Sequence, residues 1–151
     1  MVNKILAIIA CVLLSMGQSV SAYAQSPSIS AVFFVDRSAT KATDRVVITL
    51  TGTYTCGPLP QPQPTQGSTF AGVNGSVSQA AGRDIAEGGF AFTPICDAVE
   101  HTFQTNVQAD NIPWHGGPAR VRASLFVQLC DEFSNCQQVN SAVDMQISIR
   151  G

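Results

Sequence analysis

Residues 46–56 read Val-Val-Ile-Thr-Leu-Thr-Gly-Thr-Tyr-Thr-Cys, and this stretch decides the fold class of the chain. Threonine occupies every odd position from 49 to 55, and the even positions carry Val46, Ile48, Leu50, Gly52, Tyr54 and Cys56. Side chains that recur every second residue lie on one face of an extended strand. The stretch therefore predicts a β-strand with a buried apolar face and an exposed threonine face.

Other parts of the chain show the same two-residue period. Apolar residues at odd positions alternate with mostly polar ones across 120–129 and again across 143–149. Weaker runs at 29–35, 75–79, 85–92 and 102–109 predict four further strands, with a bulge at Gly88 and Gly89 that re-registers Phe90 and Phe92. No window shows a convincing helical period. The sequence thus predicts an all-β domain of about seven strands.

Turn-rich segments at 57–67, 81–84, 111–118 and 131–135 separate these strands. Their spacing is typical of an immunoglobulin-like antiparallel β-sandwich, which is the architecture we expect. A closed β-barrel remains the alternative, because the strand pattern alone separates the two architectures poorly.

The first 24 residues have the three parts of a secretory signal peptide. Lys4 supplies the positive charge, residues 5–16 form an apolar run, and Ala22-Tyr23-Ala24 is a cleavage site. That run is shorter than the roughly 20 residues that a membrane-spanning helix needs, so we expect no membrane span. We expect residues 25–151 to form a single exported domain, periplasmic or extracellular, and Cys11 to leave with the signal peptide rather than carry a lipid.

Four cysteines remain after cleavage, and an even number in an oxidising compartment favours two disulfides over thiol chemistry. Cys56 shares the apolar face of its strand, whereas Cys130 continues the outward-facing set of its own strand. A bridge between Cys56 and Cys130 across the core, as in immunoglobulin domains, would need both to point inward. Side-chain parity therefore predicts the pairs Cys56 with Cys96 and Cys130 with Cys136.

Candidate binding residues occur in two parts of the chain. The segment 57–67 contains Pro58, Pro60, Pro62 and Pro64, whose fixed φ angles favour an extended polyproline stretch that either docks on a partner or serves as a stiff loop. Trp114, the single tryptophan, lies in a connection rich in glycine and proline. Its indole is either an exposed anchor for a partner or a lid on one end of the core.

The sequence offers little to catalysis, to metals or to nucleic acids. Asp97 and His101 are four residues apart and could touch, but neither His101 nor His115 lies in a metal-binding pattern, and no nucleophile elbow is present. Tyr54 has the spacing to Cys56 of an immunoglobulin tyrosine corner, but on the wrong strand, and we expect it in the core. The net charge of −2 is spread singly, which disfavours nucleic-acid and anionic-lipid partners. We expect no enzyme activity and no cofactor.

The motifs at 52–56, 77–79, 89–90, 96–97, 101–103, 117–121 and 130–136 together resemble those of small uncharacterised secreted bacterial proteins with an immunoglobulin-like β-sandwich. The resemblance covers most of the mature chain and implies a fold and an export route, but no activity. A more distant likeness is to the enediyne-binding apoproteins, which are also small secreted sandwiches with two local disulfides. None of their pocket positions can be matched here, so no ligand residue is carried over.

These expectations combine into a functional hypothesis. We expect a non-enzymatic exported domain whose loops bind a protein or a cell-envelope component; the alternatives are a small-ligand carrier and a purely structural domain. If successive strands alternate in direction, the cysteine-bearing connections gather at one end and Trp114 and His115 lie at the other. The first of these ends is where we expect the recognition surface.

Cleavage after Ala24 is directly testable. N-terminal sequencing of the protein recovered from its native host should give a start at or within a few residues of Gln25. A full-length chain recovered from the cytoplasm, or a lipid on Cys11, would contradict the export hypothesis.

Overall fold

The computed structural model describes residues 29–59, 69–130 and 135–151. These residues form eight β-strands and no helix: β1 (Ser30–Val35), β2 (Ser38–Lys41), β3 (Val47–Gly57), β4 (Phe70–Ala81), β5 (Asp84–Phe92), β6 (Glu100–Gln108), β7 (Gly117–Cys130) and β8 (Cys136–Arg150). No helix able to span a membrane is found in this part of the chain. The predicted signal peptide and its predicted cleavage site lie outside the described residues.

The all-β prediction is confirmed, and the structure has eight strands where about seven were predicted. The eighth strand is β2, which has four residues and a single buried side chain, Ala39. So short a segment cannot show a two-residue period. Its edges identify it instead, because one edge pairs antiparallel with Ile48 and Thr49 of β3 and the other pairs parallel with β8.

Strand β3 lies at the centre of the pairing scheme. Along one edge it pairs with β6, and along the other it pairs with β1 and then β2. The full order is β1-β3-β2-β8-β7-β4-β5, with β6 attached to β3. Strand β2 therefore joins a group made of β1, β3 and β6 to a group made of β8, β7, β4 and β5.

The core lies between the apolar faces of these strands. In β3 the alternation holds as predicted, with Ile48, Leu50, Tyr54 and Cys56 buried and the threonines partly exposed. Strand β7 contributes a second buried row, comprising Ala119, Val121, Ala123, Leu125 and Val127. Rings from both groups meet near the ends of β3 and β5, where Phe92 and Phe103 stack at 5.2 Å and Tyr54 lies 5.9 Å from Phe92.

The bulge predicted at Gly88 and Gly89 is wrong. Strand β5 pairs with β4 in one unbroken register, and Ala86, Gly88 and Phe90 all face inward. The glycine at 88 has a different cause: a Cβ there would collide with the backbone carbonyl of Gln108 and lie 2.9 Å from Val107. Glycine therefore permits the end of β6 to approach β5 closely.

Both disulfides follow the pairing that parity predicts. Cys56 is bonded to Cys96, 40 residues away, and Cys130 is bonded to Cys136, 6 residues away. The second pair lies directly opposite in the β7–β8 ladder, so that the bridge joins the two strands of one hairpin. Cys130 lies on the side of β7 opposite to its core row, as the parity argument requires.

The two bridges should differ in their effect on stability. On loop-closure entropy, removing the Cys56–Cys96 bridge should lower the free energy of unfolding by about 4 kcal/mol and removing the Cys130–Cys136 bridge by about 2 kcal/mol. Burial adds to the difference, because Cys56 and Cys96 both belong to the core cluster, whereas Cys130 is buried outside that cluster and Cys136 is exposed. Urea unfolding of the two double Cys→Ala variants measures this, and a larger loss from the Cys130–Cys136 variant would contradict it.

Candidate functional site

The strand directions place the ends of β3, β5 and β7 at one end of the domain. Because all sheet neighbours except β2 and β8 are antiparallel, β3, β5 and β7 run in one direction and the other strands run against them. The ends of β3, β5 and β7, with the β5–β6 loop (residues 93–99), form what we call the cysteine end. Trp114 and His115 lie in the β6–β7 connection at the opposite end, as predicted.

The β5–β6 loop is braced from several sides. The Cys56–Cys96 bridge ties it to β3, and the backbone N–H of Ala98 donates to the Cys56 carbonyl at 2.9 Å. The Cys96 carbonyl accepts from the N–H of Leu59, and the Tyr54 hydroxyl accepts from the N–H of Ile95 at 3.1 Å. The loop thus has one covalent and three hydrogen-bonded attachments to its surroundings, which limit its conformational freedom.

This braced loop carries two large apolar side chains into solvent. Ile95 is 60% exposed and Val99 is 57% exposed. An isolated exposed aliphatic side chain is ordinary, but two on one short, braced loop make that loop a candidate contact surface.

A hydrogen-bonded pair closes the loop against β6. The Nε2–H of His101 donates to Oδ1 of Asp97 at 2.9 Å, and the same oxygen accepts from the backbone N–H of Val99. The His101 ring also stacks on the buried Tyr54 ring, with centroids 5.5 Å apart. These two hydrogen bonds lower the pKa of Asp97 below its ordinary value, and the bond from His101 has the larger effect. Tyr54 is a core residue, as expected.

A second candidate lies on the outer face of β4, β5 and β7, at the same end. An open groove of about 470 Å³ is lined by Phe70, Ala71, Gly72, Val73, Asn74, Ala91, Phe92, Thr93 and Phe126, and we call it the aromatic groove. The Phe70 and Phe126 rings stand 6.1 Å apart at an angle of 44°. Phe70 is 56% exposed.

Comparison of the chain with protein-family models, with curated proteins and with solved structures gives no match. Any function must therefore be inferred from the side chains and their geometry.

Trp114 is not the exposed anchor that one sequence hypothesis proposed. Its side chain is fully buried, its backbone N–H donates to the Arg45 carbonyl at 2.7 Å, and its indole N–H donates to the Val107 carbonyl at 3.3 Å. The buried amide of Gln79 holds the same connection, donating to the His115 carbonyl and accepting from the His115 N–H. Trp114 therefore acts as a lid on the core at the end opposite to the cysteine end.

The proline-rich candidate is described only at its start. Pro58 is exposed and follows a cis peptide bond from Gly57, and Leu59 is buried. Pro60, Pro62 and Pro64 lie outside the described residues. No group of three metal-ligating side chains occurs within residues 29–59, 69–130 and 135–151.

Sequence reasoning missed Ile95, Val99 and Phe70. Ile95 and Val99 lie in a loop, where no periodicity separates exposed from buried positions. For Phe126 a signal existed, because it occupies the outward phase of β7 between Ser124 and Gln128. A large aromatic residue in the polar phase of a strand is a usable marker of an exposed site.

The Asp97–His101 pair gives a testable pH dependence. Because the folded state lowers the Asp97 pKa, the pair stabilises the fold fully above the unfolded pKa of about 3.9 and loses its contribution as the pH falls through the lower folded value. Carboxyl NMR titration should give an Asp97 pKa below that of an unfolded chain, and His101→Ala should raise it.

Asp144 supplies the internal control for this titration. Its pKa is also lowered, chiefly by the hydrogen bonds from Arg120 at 2.6 and 2.7 Å. It should therefore keep the same pKa in the His101→Ala variant. An Asp97 pKa that did not respond to the loss of His101 would contradict the assignment.

Proposed function

We propose that this chain is an exported, non-enzymatic binding domain of the immunoglobulin-like sandwich type, which recognises a protein or a cell-envelope component through its cysteine end. The strand order supports the sandwich, because β2 connects two strand groups whose rings meet in the core. Two disulfides support a periplasmic or extracellular location, where such bonds persist.

One observation carries the proposal: the β5–β6 loop presents Ile95 and Val99 to solvent while being held by a disulfide and backbone hydrogen bonds. A loop already fixed in its bound conformation loses little conformational entropy on association. Apolar side chains on such a loop can then contribute most of their buried area to binding.

The two rival functions predict different features. A carrier needs apolar space between the two strand groups, but close ring contacts occupy that region near the cysteine end, including the pair Phe33 and Phe103 at 5.2 Å. A purely structural domain does not require two exposed apolar side chains on a loop held by a disulfide and hydrogen bonds. Compared with each of these two rival functions, the observed features favour the binding domain.

Replacing an apolar side chain of the loop with a charged one tests the proposal. The protein is exported from its native host as wild type, as Ile95→Asp and as Ile85→Asp, and each form is captured with the envelope fraction and analysed by mass spectrometry. Ile85 is a matched control, because it is 52% exposed and lies at the start of β5, away from the cysteine end. We expect a partner that the Ile85→Asp variant still captures and the Ile95→Asp variant does not. A binding measurement with the purified partner should show the same difference.

Equal capture by the two variants would contradict the placement of the binding surface. Both substitutions affect exposed side chains, so both variants should keep a stability within about 0.5 kcal/mol of the wild type, which urea unfolding checks.

A further inference from the structure

We propose that the aromatic groove is a second binding site, which takes a neutral saccharide. It goes beyond the proposed function in its surface, since the groove lies on the sheet face and takes only Thr93 from the β5–β6 loop, and in its ligand, which is a small neutral saccharide. Three observations together specify the ligand class: the absence of charge in the lining, the exposed face of Phe70 and a fixed amide at Asn74.

Among the described residues, the lining of the aromatic groove carries no charge. None of its nine residues is acidic, basic or histidine. Further along the same face, where β4 and β7 continue, Arg120 and Arg122 both contact Asp144 and so are already paired. A charged ligand would lose hydration on entering the groove and find no opposite charge there. Electrostatic complementarity therefore selects a neutral ligand.

The Phe70 ring provides the surface on which such a ligand would stack. The ring folds over Gly72, since a Cβ at that position would lie 3.0 Å from the ring carbon Cζ. The planes of the Phe70 and Phe126 rings are tilted by 44°, so the two rings do not stack on each other. An aromatic face carries partial negative charge and attracts the polarised C–H groups on the apolar face of a sugar ring.

Polar groups beside the rings match the hydroxyl groups of a sugar. Ser124 donates its hydroxyl proton to Oδ1 of Asn74 at 3.3 Å, which fixes the orientation of the Asn74 amide. The amide nitrogen of Asn74 has no partner among the residues that the structure describes, so it can donate to a ligand hydroxyl. Thr93 adds an exposed hydroxyl to the lining. A purely apolar ligand would cover these groups without replacing their hydrogen bonds to water.

The size of the groove agrees with this ligand class. Its volume of about 470 Å³ lies within the range of roughly 300–1,000 Å³ that is typical of small-molecule sites. Because the groove is open along the sheet face, a chain of sugar units could continue beyond it.

The test uses the full protein and three neutral probes, namely cellohexaose, maltohexaose and hexa-N-acetylchitohexaose, with an oligogalacturonate of the same length as the charged comparison. Calorimetric titration gives the affinities, and amide chemical shifts locate the site. We expect at least one neutral probe to bind and to shift Gly72, Asn74 and Phe126, with weaker or no binding of the oligogalacturonate.

Variants then separate the groove from other surfaces. Phe70→Ala should weaken binding roughly tenfold, and Gly72→Val should weaken it by displacing the Phe70 ring without removing it. Phe34→Ala is the matched control, because Phe34 is 61% exposed on β1, in the other strand group. Its affinity should equal that of the wild type.

Several results would overturn the proposal. These are no binding of any neutral probe at millimolar concentration, preferred binding of the oligogalacturonate, or equal losses from Phe70→Ala and Phe34→Ala. A monomer–dimer equilibrium that Phe70→Ala abolishes would assign the groove to a second copy of the chain instead. None of these outcomes affects the Ile95 experiment, so the two proposals fail independently.

Discussion

The structure depends on one strand that is hydrogen-bonded along both edges. Strand β3 pairs with β6 along one edge and with β1 and β2 along the other. The pairing with β6 involves nine residues of β3. Such a strand cannot slip by one residue without turning Ile48 and Leu50 outward and the threonines inward. Its alternation therefore fixes the register of its neighbours, and through β2 it connects the second group of strands to the first.

The same strand determines where a rigid loop can form. Cys56 is the last inward-facing side chain of β3, which ends at Gly57. Its sulfur therefore lies close enough to the β5–β6 loop to bond with Cys96. Tyr54, two residues earlier on the same face, places its hydroxyl where it accepts the Ile95 N–H. The rigidity of the exposed loop is thus a consequence of two inward-facing side chains on the central strand.

The sequence predicted those features that depend on side-chain parity. The alternation in β3, β7 and β8 and both disulfide pairs follow from which face each residue occupies, and all agree with the structure. The prediction failed at β2 and at Gly88, because these features depend on contacts between segments distant in sequence. For Trp114 the sequence left open whether the indole is exposed, and burial was decided by Arg45 and Val107, which are remote along the chain.

Side-chain parity also explains why one of the two candidate surfaces could be inferred from the sequence more readily than the other. Phe126 and Phe70 stand on strands, so their outward positions could be inferred once the inward phase of β7 and its pairing with β4 were known. Ile95 and Val99 lie where the backbone follows no period, and Ala98 between them has a positive φ of 67°. Their exposure is set by the disulfide and the hydrogen bonds that shape the loop. An apolar residue in the polar phase of a strand is therefore informative from sequence, whereas an apolar residue in a loop becomes informative only when the loop's attachments are known.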